Sequence, residues 1–134
     1  MAVRYLLDTN TVSFYVRQSS PALVKRLRAT PAASVALSVV TAMEIHFGLA
    51  RNPALRIGPA VEAFLEGIDV LPLTSDSARH YARIRADLEA RGTPIGPLDL
   101  MIASHALALR ATLVTTDLSE FRRVAGLRSE DWTT

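Results

Sequence analysis

Short apolar stretches separated, every time, by helical patterns restrict this chain to an α/β layout. Residues 3–7 (VRYLL), 34–38 (SVALS), 68–71 (IDVL) and 112–115 (TLVT) have the length and β-branched content of buried strands. Residues 127–130 could add a fifth. Between them the spacing predicts helices over about 9–16, 21–30, 40–51, 54–66, 75–91 and 97–110, and a short one opening at 117–120. Asp8, Ser20-Pro21, Thr74-Ser75 and Gly96-Pro97 are start signals, and Asn52-Pro53, Gly67 and Gly92 are stops. Strands joined by helices pair in parallel, and helices then cover both faces of the sheet. In such sheets chemistry gathers where the carboxyl ends of the strands meet the following loops.

The chain of 134 residues suits one domain, spanning residues 1–134. It is 49% apolar and 21% charged, enough to bury a core and too apolar for disorder. No apolar run reaches the length of a membrane span, and MAVRYLLDTN lacks the apolar stretch and cleavage site of a signal peptide, so a cytoplasmic protein is expected. The absence of cysteine removes zinc–thiolate sites, disulfides and thiol nucleophiles together. A net charge of +2 is not the strong positive field of a non-specific nucleic-acid coat. All basic residues but Lys25 are Arg, which grips phosphate in a planar fork, although a GC-rich genome accounts for that bias as well.

Four acids stand in telling places. Asp8 directly follows the first strand, and Asp117 follows the fourth across Thr115 and Thr116. Each could serve only as a helix cap, and Asp117-Leu118-Ser119-Glu120 has the spacing of a capping box. Asp99 is in the first turn of a helix that is apolar nearly all round and therefore buried, so it should face a cleft rather than bulk water. Glu44 sits mid-helix among Met43, Ile45, Phe47 and Leu49, where no cap role is available. A carboxylate there needs a partner: Arg51 or His46 in a purely structural role, or a metal. Carboxylates without His or Cys ligands suit hard cations such as Mg²⁺ or Mn²⁺, which activate water and neutralise charge on a phosphate. Crowded acids should also raise the pKa of one or more of their number.

In order along the chain, LLDTN at 6–10, TAMEIHFGL around Glu44, IGPLDLMIASHAL around Asp99 and LVTTDLSEF around Asp117 resemble the PIN-domain ribonucleases, and within them the VapC toxins of bacterial toxin–antitoxin pairs. The likeness runs from about residue 4 to Trp132. It implies a PIN-like three-layer sandwich with a central parallel sheet of four to five strands. It also implies that Asp8, Glu44, Asp99 and Asp117 are catalytic and hold Mg²⁺ or Mn²⁺, Asp8 and Asp99 most directly. Thr9, Asn10 and Thr115 would support them. The implied function is a metal-dependent endoribonuclease that inhibits translation. Such toxins form homodimers and are silenced, in higher hetero-oligomers, by a VapB-like antitoxin that covers the active site and carries the complex to operator DNA. RGTPIGPLDLMIASHA and RVAGLRSEDW resemble a branch that cuts tRNA, the initiator tRNA anticodon stem-loop in particular.

The remaining candidates carry less. His46, His80 and His105 lack a second His at metal spacing, and Ser13, Ser38 and Ser104 show no Ser–His–Asp pattern. Arg79, Arg83 and Asp87 fit a solvated, salt-bridged helix face. Arg122 and Arg123, just beyond Asp117, are the candidates for contact with RNA phosphate. Trp132 reads as an anchor for the tail. The competing function is a non-catalytic RNA- or protein-binding module on the same fold. An aspartyl-phosphate phosphatase is disfavoured because Asn10 stands where that chemistry wants a second Asp.

Overall fold

The computed structural model describes residues 2–134. Its centre is a five-stranded sheet, all parallel, in the order β3-β2-β1-β4-β5. The strands are β1 (Tyr5–Leu7), β2 (Val35–Ser38), β3 (Asp69–Leu71), β4 (Thr112–Val114) and β5 (Ser129–Glu130). The helices are α1 (Thr9–Val16), α2 (Pro21–Ala29), α3 (Val39–Arg51), α4 (Gly58–Glu66), α5 (Ser75–Ala90), α6 (Pro97–Leu109) and α7 (Leu118–Phe121). No helix is long and apolar enough to cross a membrane among the described residues.

The period of two in the strands builds the layers. Leu6, Ala36 and Leu113 face a core shared with Ile84 and Leu88 of α5 and with Ile102 and Ala106 of α6. Their neighbours Leu7, Leu37 and Val114 face the opposite core with Val12 of α1, Leu23 of α2 and Val61 of α4. Both faces are thus dry, as a parallel sheet requires. Helix α3 contributes to each, through Val40 on one side and Ile45 on the other. The tail is pinned by Trp132, buried with its ring 5.0 Å from Tyr5 and with Arg26 over its face.

The expected strands and helices are all present, with shifted ends. β1 begins at Tyr5 rather than Val3. α4 begins at Gly58, not near Ala54, because the chain after Asn52-Pro53 closes turns instead, Leu55 N–H on Asn52 O and Gly58 N–H on Leu55 O. α5 ends where Gly92 adopts φ +69°, the left-handed stop that glycine takes without strain. α6 ends on Arg110 at φ 55°, with no glycine to mark it.

Strand order matters most for function. The chain builds outward from β1 through β2 to β3, then returns to lay β4 on the other flank of β1. The reversal lies between β1 and β4, so the loops after these two strands diverge and leave a crevice at their carboxyl ends. Asp8 and Asp117 follow those two strands.

Candidate active site

Asp8 is 6% exposed, and its backbone N–H bonds Val114 O at 3.0 Å, extending the β1–β4 pairing. Its carboxylate does cap α1: Oδ1 accepts the Thr11 N–H at 2.8 Å. The next residue, Thr9, reaches across to α3, where its hydroxyl donates to Glu44 Oε1 at 3.0 Å. Glu44 is therefore tied to the residue beside Asp8, not to Arg51 or His46. Its surroundings correct the expectation of an apolar burial. Glu44 is only half-buried, and its neighbours Met43 and Phe47 are 61% and 63% exposed. The apolar letters around Glu44 belong to two faces of α3, one packed and one facing solvent.

Across the crevice, Thr115 is fully buried and its Oγ1 accepts the Asp117 N–H at 3.0 Å, fixing the turn after β4. Asp117 Oδ1 accepts the Glu120 N–H and the Ser119 hydroxyl, so it too caps its helix. Asp99 is half-buried in the first turn of α6, as its position after Pro97 implied.

Charge shows that these groups share one space. Burial raises the Asp99 carboxyl above the ordinary carboxylate range, and the negative charges of Asp8 and Asp117 raise it further, against a hydrogen bond from Glu120. Glu120 is pushed up to about 7, first by burial, then by its hydrogen bond to Asp117 and by the charge of Asp99. Asp117 moves the opposite way, chiefly because Glu120 donates to it, with the positive charge of Arg123 helping. Of the pair, Glu120 is therefore the carboxyl that takes up a proton more readily, and Asp117 the one that stays ionised. The other Glu120 contact is the Gly96 N–H, donated to Oε1 at 3.3 Å.

Glu120 is an acid that its spacing in the sequence does not single out. It has the position of the last member of a capping box, yet its side chain turns from the helix end toward Asp99. The available signal was an acid in a one-turn helix placed directly after a strand-end Asp.

All-oxygen donors and crowded carboxylates fit a hard divalent cation. Two such charges at about 4 Å and an effective dielectric of about 20 repel by about 4 kcal/mol, a strain that a cation or a shared proton relieves. N–H and O–H donors satisfy part of the Asp8 and Asp117 carboxylates, and no three acidic or His side chains among the described residues stand together around a single point.

Other expected residues fall outside this cluster. Asn10 is exposed on α1. Arg122 is exposed, while Arg123 donates to Pro94 O at 3.2 Å and lies close enough to Asp117 to lower its pKa. His105 is fully buried and unused by the acids; its Nδ1 lies 2.7 Å from Ser38 Oγ, the cap of α3. The α5 face is salt-bridged as expected but in other pairs: Arg79 with Asp76, Arg85 with Glu89 and Arg91 with Asp87.

The sequence matches the PIN domain family over residues 5–127. It is 38% identical over 131 residues to the tRNA(fMet)-specific endonuclease VapC of Shigella flexneri, covering 97% of this chain and 98% of that one. Among solved structures it is similar to the DNA-bound VapBC of Salmonella typhimurium, with a TM-score of 0.89, 36% identity and coverage of 97% and 98%. It is also similar to VapBC2 of Rickettsia felis bound to a DNA fragment from its promoter, with a TM-score of 0.87, 28% identity and coverage of 97% and 99%.

Proposed function

The chain belongs to the PIN-domain family, in its VapC ribonuclease branch, and from that premise we propose that it is a Mg²⁺- or Mn²⁺-dependent endoribonuclease toxin acting on tRNA in the cytoplasm. The observation that carries the reading is the crowding at Asp99: burial first, and then the charges of Asp8 from the end of β1 and Asp117 from the end of β4, raise its carboxyl. A helix-capping acid has no need of two like neighbours, and they destabilise the cleft unless a cation joins them.

Asp8, Asp99 and Asp117 would hold the ion, with Glu44 and Glu120 completing the acidic rim. A bound Mg²⁺ or Mn²⁺ supplies charge neutralisation at the phosphate and a water of lowered pKa. The chain's own residues prepare the rest. Thr9 aims Glu44 through its 3.0 Å hydrogen bond. Thr115 fixes the backbone that presents Asp117. Glu120, its carboxyl pushed up to about 7 in the absence of the ion, would gain a negative charge for the acidic rim when a cation displaces its proton.

The initiator tRNA anticodon stem-loop is the substrate this reading favours, supported by the name of the Shigella relative. The same reading includes a homodimer silenced by a VapB-like antitoxin, which carries the pair to operator DNA; the toxin–antitoxin crystal structures support that partner. A non-catalytic binding module is the competing reading, resting on the lack of three acids gathered at one point among the described residues.

The deciding experiment incubates antitoxin-free protein with total bacterial tRNA in Mg²⁺, in EDTA, and as Asp99→Asn. A discrete cut that needs both metal and Asp99, mapped to the initiator tRNA anticodon loop, is expected. Intact RNA in every lane, from folded protein that binds metal, would favour the binding module.

A further inference from the structure

A cleft of about 260 Å³ opens between α1, α3 and α4, and the acidic site forms one end of it, since Thr9 and Glu44 both line it. Its floor is apolar, built from Val12, Ile45, Leu49 and Val61. On its walls stand Arg17 and Arg51. Neither has a carboxylate partner among the described residues. Arg17 donates to Ser13 Oγ, and Arg51 lies over the Phe47 ring.

One residue indicates that the space is meant for an occupant. Gly48 lies inside α3, one turn after Glu44 and on the same face. A mid-helix glycine weakens a helix relative to alanine. Nothing inside this protein requires it, because a Cβ at Gly48 would meet no atom within 4 Å. Such a side chain would instead project into the cleft that Gly48 lines.

We propose that this cleft receives one nucleotide of the RNA beside the bond that is cut, its base on the apolar floor and its phosphates at Arg17 and Arg51; this rests on the nuclease reading above. The charge of the lining favours RNA over a peptide. The unpaired guanidiniums call for repeated negative charge, which a nucleic-acid backbone carries at every residue.

The test measures binding of a labelled single-stranded RNA of the anticodon-loop sequence to the full chain in EDTA, carrying Asp99→Asn so that nothing is cut. Gly48→Leu should weaken binding about tenfold, within the range for loss of one base contact. Its melting temperature should not fall, because a mid-helix glycine has been removed. Arg17→Ala and Arg51→Ala should each reduce the slope of log affinity against log salt by about 0.7. Arg79→Ala, paired with Asp76 on α5, should change neither quantity. With Asp99 restored and metal present, Gly48→Leu should raise KM and leave kcat nearly unchanged.

Unchanged affinity in Gly48→Leu, with unchanged salt slopes, would overturn the proposal and leave the nuclease reading standing. So would a Gly48→Leu protein that binds RNA normally but no longer binds its antitoxin, since the cleft would then be a protein-docking surface. Failure of the Asp99→Asn parent to bind RNA in EDTA and in Mg²⁺ alike would instead remove both readings.

Discussion

At the scale of single residues, the site is a problem of too many negative charges, and Glu120 is its release. The raised Glu120 carboxyl means that the folded protein holds a proton that the unfolded chain gives up near its ordinary value of 4.5. Stability from this group is therefore full below about pH 4.5 and is lost as pH rises through about 7. Asp99 adds to the same trend, and Asp117, shifted down, opposes it only at lower pH. Urea unfolding in EDTA should show the stability of the wild-type protein relative to Glu120→Gln falling between pH 5 and pH 7.5, a difference in which the His105 contribution cancels. An unchanged profile in that variant would remove Glu120 from the proton balance. Thr9→Val tests the neighbouring contact. Losing one half-buried hydrogen bond should cost about 0.5–1.5 kcal/mol of stability, while cleavage falls much further because Glu44 loses its aim. Equal retention of activity and fold would show that Thr9 does not position Glu44. The nearness of Asp8, Asp99 and Asp117 was legible in the sequence because two come just after strands of a parallel sheet and the third opens a buried helix; the half-exposed setting of Glu44 was not, since apolar letters surround it on both faces of α3. Glu120 was not, since capping-box spacing is the same whether the last acid turns back to the helix end or out to a neighbour.

At the scale of elements, the two helices that carry Glu44 and Asp99 are fastened through a polar contact in the core. Ser38 ends β2 and caps α3, accepting the Val40 N–H at 3.2 Å, and its hydroxyl also meets His105 of α6 at 2.7 Å. Ser38→Ala should cost about 1–3 kcal/mol, by loss of the cap and by leaving a buried imidazole nitrogen without a partner. Burial lowers the pKa of His105, so its folded form is neutral. Stability from this group is present at neutral pH and is lost as pH falls below about 6.5, where the unfolded His takes up its proton. His105→Gln should flatten that acid limb in a denaturation series, and an unchanged limb would assign it to other groups. Helix types and most boundaries were legible because caps and stop signals are local. The start of α4 was not, where turn hydrogen bonds after Pro53 compete with the helix. Nor was the polar link from α6 to α3, because His105 and Ser38 are 67 residues apart.

At the scale of the whole molecule, a ligand that binds only the folded state stabilises it, by about 2.7 kcal/mol at a hundred times its Kd. Mg²⁺ or Mn²⁺ at millimolar concentration should therefore raise the melting temperature. The rise should be larger at pH 8 than at pH 5, because metal and proton compete for the same carboxylates. No shift at either pH would count against the metal site. Alternation of strands and helices sufficed to foresee the parallel sheet, but not its strand order, which depends on long-range packing. That order also sets a schedule. Tyr5 pairs with Thr112, so the crevice cannot close until more than a hundred further residues have been made. At roughly 5–20 residues per second, synthesis of that span takes about 5–20 s. A growing chain that already carries Asp8 and Asp99 still lacks the strand that brings Asp117 near them. The ribosome making this protein is thus working beside an unfinished blade, and any message broken before β4 yields a fragment that cannot cut.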